Sequence, residues 1–564
     1  VELPGVRAGA VFGGLALLFA VLAGRSLYLQ GIDDEFLQEQ GQARYARALE
    51  VPAHRGRIVD RHGEALAIST PVKSLWAFAD KLEATPAQWS ALANLLETTP
   101  QALQRQVSAT DDFVYLAKRI PPETAERALA LRIKGLYDEN EYRRYYPGGE
   151  VMGHVVGFTG VRDAGQEGIE LAQQGWLGGR AGSRRVIIDR RGDVVEDVAA
   201  IREPQAGRDL ALAIDSRLQY LAFRELKAAV EQHKAKAGGL VILDTRTGEI
   251  LALANWPAFN PNRLERIARE RMRNRALTDV FEPGSTMKPF TAATVLEAGT
   301  ARPDTLVDTN PGSLTINGAT IRDTRPIGVL TLEQVIQKSS NVGIAKLALG
   351  LPAQRMWQTL ADVGFGTLPK TGFPGEVSGR LRPAKSWRPI EQATISYGNG
   401  ISANLVQLAR AYTVFATDGE LKPVTLLKTN GPVAGRQVIK PETARAVRKM
   451  LEMAALPGGT APKAQVVGYR VAGKTGTAKK LEGNAYTNKY VSSFVGLAPV
   501  SQPRLVVAVM IDEPSGEQYY GGAVAAPVFS IVTGAALRLL GVPADAPANN
   551  VILPPEGAEI REET

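Results

Sequence analysis

Between Arg7 and Arg25 the chain carries no charged side chain, and this stretch, Ala8 to Gly24, ends in Leu15-Ala16-Leu17-Leu18-Phe19-Ala20-Val21-Leu22. At about 1.5 Å per residue the run stands at the short end of a bilayer-spanning helix, and Ser26 to Leu29 extend it into the interface. Polar residues do not recur at every third or fourth position, as they would in a soluble amphipathic helix. Val21-Leu22-Ala23 loosely resembles a signal-peptide cleavage site, which is the competing reading. The apolar run exceeds the roughly 7 to 15 residues of a signal h-region, which favours an uncleaved anchor. One Arg on each flank orients such a helix poorly, but a short N-terminal tail and a large following domain favour export of the bulk of the chain.

Beyond the anchor, 564 residues are too many for one ordinary core and suggest about two to four folded units. The balance of 45% hydrophobic and 22% charged residues is that of a globular protein. Cysteine is absent, which excludes disulfides, thiol nucleophiles and Cys-based metal sites. The four histidines, His54, His62, His154 and His233, show no metal-ligand spacing, so neither a zinc enzyme nor a histidine-dependent triad is favoured. A net charge of +8 would suit an anionic partner, but the densest basic stretch, Asn262 to Arg275, is interrupted by Glu265 and Glu270 and contains no nucleic-acid-reading motif. It reads as a solvated segment near anionic lipid or cell-wall material.

Along the chain, residues 35–48 read as a helix leaving the membrane and ending before Pro52. Residues 57–67 read as a hairpin around Asp60-Arg61-His62-Gly63. Residues 85–131 read as helices interrupted at Pro121-Pro122. Near Pro204 to Gly207 the texture changes. Residues 209–215 alternate like a strand, and 216–230 read as a helix capped by Ser216 or Asp215. A hairpin follows over 239–254, and strands return at 491–497 and 505–511 before an Ala- and Val-rich helix ending near Leu540. Strands at both ends with helices between them predict an α/β (α+β) domain whose sheet closes over a helical middle. The tail from Pro543 is expected to be loosely ordered.

The chemistry concentrates in Glu282-Pro283-Gly284-Ser285-Thr286-Met287-Lys288-Pro289. If Ser285 opens a helix, the spacing to Lys288 places amine and hydroxyl on one face. A serine needs a base to become a nucleophile, and a lysine serves when desolvation or a neighbouring cation favours its neutral form. Ser-x-x-Lys alone is a weak signal. Here Lys338-Ser339-Ser340-Asn341 and Lys474-Thr475-Gly476-Thr477 follow it, the latter after Val471-Ala472-Gly473 and so on a strand edge. Taken singly, the former could be a helix cap and the latter a polar loop.

Together the three motifs resemble those of penicillin-binding proteins and serine β-lactamases. The resemblance extends upstream: Arg55-Gly56-Arg57-Ile58-Val59-Asp60-Arg61-His62-Gly63, Arg144-Tyr145-Tyr146-Pro147 and Gly165-Gln166-Glu167-Gly168-Ile169-Glu170 are similar to the signatures of the class B non-catalytic module. His62 stands where Asn or Ser is more usual. Arg61, Arg144 and Glu170 are expected in salt bridges within that module. The resemblance implies a tail over 1–7, an anchor over 8–29, an elongated pedestal or dimerisation module over 30–206, a transpeptidase domain over 207–541 and a flexible tail over 542–564.

It further implies that Ser285 attacks the carbonyl between the terminal D-alanines of a peptidoglycan stem peptide, with Lys288 accepting the proton. Ser339 and Asn341 relay protons and orient Lys288 and the substrate amide, and Lys474 supplies positive potential. Thr475 and Thr477 hold the terminal carboxylate alongside Gly476, and the N–H groups of Ser285 and Thr477 form the oxyanion hole. An amine from a neighbouring stem peptide resolves the acyl-enzyme, with no metal or organic cofactor. The phrases around Ser285 and Ser339 resemble the septal, cell-division enzyme more than the elongation enzyme. Expected partners are stem peptides, β-lactams, a polytopic SEDS-family glycosyltransferase and other division proteins at the inner membrane, with the catalytic domain in the periplasm. An elongation-type transpeptidase, a non-turnover β-lactam sensor or scaffold, a D,D-carboxypeptidase and a β-lactamase are the alternatives on the same residues. For the last, Glu376 and Glu391 are the acidic candidates for a water-activating base between Asn341 and Lys474.

Overall fold

The computed structural model describes residues 5–31, 46–110, 113–160, 163–188, 194–483 and 485–553. It falls into two compact units, Val1–Arg55 with Gly178–Arg208, and Gly56–Leu177 with Asp209–Thr564.

In the first unit one continuous helix covers Gly5–Gly31, and within its Gly5–Tyr28 portion an 18-residue window has a mean hydropathy of 2.0 and is not buried at all. At 1.5 Å per residue this stretch is about 36 Å long, enough to cross a bilayer. The same unit holds an antiparallel sheet in the order Ala46–Val51, Gly182–Ile188, Val194–Arg202. The helix expected over 35–48 is therefore corrected at its end, where residues 46–48 pair with 185–187 as strand. Residues 35–45 lie outside the described residues. Cross-strand pairing overrides local propensity at such short segments.

The second unit begins with the expected hairpin. Strands Ile58–Val59 and Ala65–Phe78 flank a turn in which Asp60 N–H donates to the Glu64 carbonyl at 2.8 Å. The longer strand is paired on both sides, by Phe113–Ile120 and Leu136–Tyr145. Helices Pro86–Leu95, Pro100–Ser108 and Pro122–Leu129 cover one face, meeting Leu75, Ala77, Val114 and Leu116 in a shared core. Strand Phe113–Ile120 replaces helix in the span expected to be helical. Its period-2 pattern, Val114 and Leu116 buried and Phe113 exposed, is too short to stand out in an Ala- and Leu-rich stretch.

The upstream signature residues are structural ties. Arg144 Nε donates to Glu170 at 2.7 Å and Arg144 Nη1 to Ser69 Oγ at 3.0 Å, with both charged side chains nearly sealed from solvent. Asp60 accepts from Ser216 N and Oγ at 3.2 and 2.8 Å, and Arg61 pairs with Glu249 at 3.3 Å, which ties the hairpin to the segment that begins at residue 209. His62 Nε2 lies 3.0 Å from Asp215, and Arg217 reaches the same carboxylate at 2.7 Å. Burial alone would raise the Asp215 pKa, but the hydrogen bonds from Arg217 and His62 outweigh it and hold the carboxyl at about 2.

Asp215 caps helix Ser216–Gln232 by accepting from Arg217 N. The strand read over 209–215 shrinks to Leu210–Ala211, parallel to Ile58–Val59, because Asp215 is consumed by the cap. The central sheet has the order Ile250–Trp256, Ala237–Asp244, Leu505–Asp512, Ala485–Ala498, Ala472–Glu482, antiparallel throughout. Leu240 and Ile242 pack towards Ser216–Gln232 and Ala526–Leu539. Val241 and Leu243 face the opposite core, which includes helix Leu405–Ala416. A sheet covered on both faces leaves its edges for function, and Ala472–Glu482 is one such edge. The tail is docked further than expected: Asn550 Nδ2 donates to the Val466 and Tyr469 carbonyls at 3.0 Å, and Ile552 N–H to Gln465 Oε1 at 3.1 Å.

Candidate active site

Ser285 lies in a single 3-10 turn, Gly284–Met287, that runs directly into helix Lys288–Glu297. Three contacts fix this turn. Thr286 Oγ1 donates to the Pro283 carbonyl at 2.8 Å, and the buried Tyr412 hydroxyl donates to the Thr286 carbonyl at 2.7 Å. Gly398, at φ +95°, passes so close that a Cβ there would sit 2.1 Å from the Gly284 carbonyl. On the other side a Cβ at Gly476 would lie 2.7 Å from the Pro283 carbonyl, so only glycine lets the edge strand lie against the turn.

Lys288 is fully buried, and its Nζ donates to the Ser339 carbonyl and, at 3.0 Å, to Ser339 Oγ. Lys474, also fully buried, donates to the same hydroxyl at 2.9 Å. Ser339 can meet both amines because it ends helix Leu332–Lys338 in the left-handed region, at φ 63°. For a non-glycine residue that conformation costs on the order of 1–2 kcal/mol, held by the surrounding structure. Ser340 then caps the next helix, Asn341–Leu349, by accepting from Gly343 N at 2.9 Å. The helix-cap reading is thus met by Ser340, while Ser339 beside it contacts both amines.

The Ser285 hydroxyl forms no hydrogen bond among the described residues, and Ser285 keeps 5% of its surface exposed. The structure therefore brings Lys288, Ser339 and Lys474 into direct contact, with Ser285 one turn ahead of Lys288 in sequence and no hydrogen bond between the two. Catalytic hydrogen bonds commonly tighten only when substrate is bound. Thr475 Oγ1 sits 3.4 Å from Lys474 Nζ and 2.9 Å from Thr460 Oγ1, and Thr477 Oγ1 accepts from Gly521 N–H at 3.0 Å. Asn341 Nδ2 donates to the Arg322 carbonyl at 3.3 Å.

Sequence reasoning missed Asp323. Its buried carboxylate accepts from Ser340 Oγ at 2.6 Å, Asn341 N at 2.6 Å and Val342 N at 3.0 Å. A negative charge on the first N–H groups of a helix satisfies orphan donors and complements the helix dipole. No spacing rule links it to Ser339 and Asn341, because it arrives from the hairpin strand Ala319–Arg322. Thr460, Gly398 and Tyr412 were missed for the same reason. Asp323→Ala is expected to destabilise the protein by about 2 kcal/mol and to slow acylation of Ser285 while leaving Lys474 in place. Chemical denaturation paired with acylation kinetics checks both, and Asp323→Asn should recover part of each.

Glu376 and Glu391 are both engaged. Glu376 accepts from Thr371 N and Oγ1 at 3.0 and 2.7 Å. Glu391 accepts from Arg388 N at 2.8 Å and pairs with Arg382 at 2.9 Å. The Arg388 backbone N–H, together with the two guanidinium groups, holds the Glu391 carboxyl down at about 2 despite some burial, which makes it a weaker general base.

The sequence matches the family described as the penicillin-binding protein transpeptidase domain over residues 238–533, and that described as the penicillin-binding protein dimerisation domain over 50–212. It is 42% identical over 542 residues to the probable peptidoglycan D,D-transpeptidase PenA of Neisseria gonorrhoeae, covering 95% of this chain and 93% of that one. It is also 42% identical over 550 residues to the peptidoglycan D,D-transpeptidase FtsI of Escherichia coli K12, covering 96% and 93%. Among solved structures, the apo transpeptidase domain of Burkholderia pseudomallei penicillin-binding protein 3 superposes with a TM-score of 0.56 at 51% identity, covering 60% of this chain and 98% of that one.

Proposed function

The chain belongs to the class B penicillin-binding proteins, serine acyl-transfer enzymes with a dimerisation domain ahead of the transpeptidase domain, and on that premise we propose how its residues divide the D,D-transpeptidase reaction. The observation that carries the assignment is the single hydroxyl of Ser339 accepting from both Lys288 and Lys474. Two buried ammonium groups around one hydroxyl repel each other, so the pair favours one charged and one neutral amine. Lys474 keeps the charge that attracts the terminal carboxylate, which Thr475 and Thr477 bind beside Gly476. Neutral Lys288 takes the Ser285 proton as Oγ attacks the carbonyl between the two D-alanines. The proton passes through Ser339 to the departing D-alanine nitrogen, and Asn341 orients Lys288 and the substrate amide. The N–H groups of Ser285 and Thr477 receive the oxyanion.

The reaction serves septal wall synthesis in this reading, supported by likeness over nearly the whole chain to a relative named FtsI. Residues 8–29 anchor the chain in the inner membrane and 1–7 stay in the cytoplasm. The non-catalytic module over 30–206 and the transpeptidase domain over 207–541 stand in the periplasm, beside a SEDS-family glycosyltransferase and other division proteins.

β-Lactams acylate Ser285 and stay attached for many minutes. Release requires a water activated by a base left free after acylation, and Glu376 and Glu391 are both occupied structurally. Intact-protein mass spectrometry of the drug adduct over time tests this. Persistence in the parent and in Glu376→Gln and Glu391→Gln is expected. Rapid loss of the adduct with hydrolysed drug in solution, slowed by either substitution, would make the protein a β-lactamase.

A further inference from the structure

Phe281 and Ala403 exchange backbone hydrogen bonds at 3.0 Å, and the Gly284 N–H donates to the Gly398 carbonyl at 3.4 Å, so the approach to Ser285 runs alongside the loop 398–403. Between these contacts stands Glu282, three residues ahead of the nucleophile. Its carboxylate accepts from the Gly400 N–H at 2.8 Å and, with its other oxygen, from the Tyr486 hydroxyl at 3.0 Å. Tyr486 lies opposite Leu481 in the antiparallel pair Ala472–Glu482 and Ala485–Ala498, whose first strand carries Lys474, Thr475 and Thr477. One half-buried carboxylate therefore joins the nucleophile's turn, the loop packed on it and the edge hairpin. Burial raises the Glu282 pKa against the pull of these two hydrogen bonds. Burial, and then the Glu282 charge, raise that of the Tyr486 phenol as well, so it remains a donor at neutral pH. Glu282 takes no part in the proton transfers assigned above.

We infer that Glu282 is a positioning residue for the acylation of Ser285, acting through Tyr486 to fix the distance between the two N–H groups that receive the oxyanion. The inference rests on the transpeptidase reading above, in which one of those donors is the Ser285 N–H on the turn and the other the Thr477 N–H on the edge strand. Donors on different elements serve one oxyanion only while the elements keep a set separation, and misplacement by about 1 Å can cost on the order of 10²-fold in rate. Packing limits how closely turn and strand approach, since a Cβ at Gly476 would lie 2.7 Å from the Pro283 carbonyl. Packing of this kind resists compression but not separation. The bond from Tyr486 to Glu282 resists separation, and the bond from Gly400 keeps the carboxylate from swinging away.

The test is acylation by a chromogenic cephalosporin over a range of concentrations, which separates the limiting acylation rate from initial binding, with thermal unfolding on the same preparations. Tyr486→Phe keeps the ring and should lower the limiting rate roughly three- to tenfold, the scale of one hydrogen bond. Glu282→Ala loses both bonds and should lower it roughly ten- to hundredfold. Initial binding should change by less than about twofold in each, because Lys474 and Thr475 are untouched. A glutamine accepts from Gly400 with its oxygen and donates to the Tyr486 oxygen with its nitrogen, so Glu282→Gln should stay within about threefold of the parent. The double variant, Tyr486→Phe with Glu282→Ala, should match Glu282→Ala alone. A parent-like limiting rate in folded Glu282→Ala, a loss confined to binding, equal losses in Glu282→Gln and Glu282→Ala, or a Tyr486→Phe effect undiminished in the double variant overturns the inference while Ser285 stands as the nucleophile. Should Glu282→Ala fail to fold, folded Tyr486→Phe with the parent's limiting rate overturns it equally. A parent protein that gains no acyl group on Ser285 overturns the transpeptidase reading and the inference with it.

Discussion

Ser285→Ala is expected to abolish covalent labelling by a fluorescent penicillin while leaving the protein folded. The hydroxyl makes no hydrogen bond among the described residues, so its removal leaves no partner unsatisfied. The turn that carries it is fixed by other groups: the Tyr412 hydroxyl on the Thr286 carbonyl, Thr286 on Pro283, and the close passage of Gly398. The change in stability should therefore stay within about 0.5 kcal/mol, as for substitutions that break no packing or polar network. Gel fluorescence and thermal unfolding on one preparation give both readings. Stoichiometric labelling of the folded variant would show that another residue is the nucleophile.

Lys288→Met is expected to slow acylation by about 10²- to 10⁴-fold, the contribution of a positioned general base. Methionine keeps most of the apolar stem volume in a fully buried site and removes the amine. The Ser339 carbonyl and hydroxyl each lose a donor, which costs on the order of 1–3 kcal/mol. Lys474 remains on the Ser339 hydroxyl, so the group proposed to attract the terminal carboxylate persists and the loss should appear in the acylation step more than in initial binding. Stopped-flow acylation by a chromogenic cephalosporin separates the two. A folded variant acylated within tenfold of the parent rate would place the base elsewhere.

What could be read from the sequence depended on whether the determinant was local. Ser285 and Lys288 are three positions apart on one turn, and the strand position of Lys474 follows from Val471-Ala472-Gly473 before it. Helix Ser216–Gln232 carries its own cap in Asp215, and the hairpin around Asp60 its own turn. Where the determinant was distant, reading failed. Asp323 reaches the helix start at Asn341 from the end of a separate hairpin, and Gly398 meets Gly284 across more than a hundred positions. Strand Phe113–Ile120 exists because a long central strand, Ala65–Phe78, offers it a partner, and its composition alone suits a helix as well. The ordered segment through Ile552 is held by Gln465, a contact no tail composition announces. The left-handed conformation of Ser339 is the most consequential of these, because it turns a cap residue into the meeting point of two lysines.

The most direct measurement of the central claim is mass spectrometry of the parent protein quenched during turnover of a D-Ala-D-Ala-mimicking thioester, with and without an amine acceptor. The account predicts an acyl group on the peptide containing Ser285 that accumulates without the amine and declines when it is added, as amide product appears. Thioester consumption with no acyl group on that peptide, or an adduct that added amine neither depletes nor converts to amide, would contradict it.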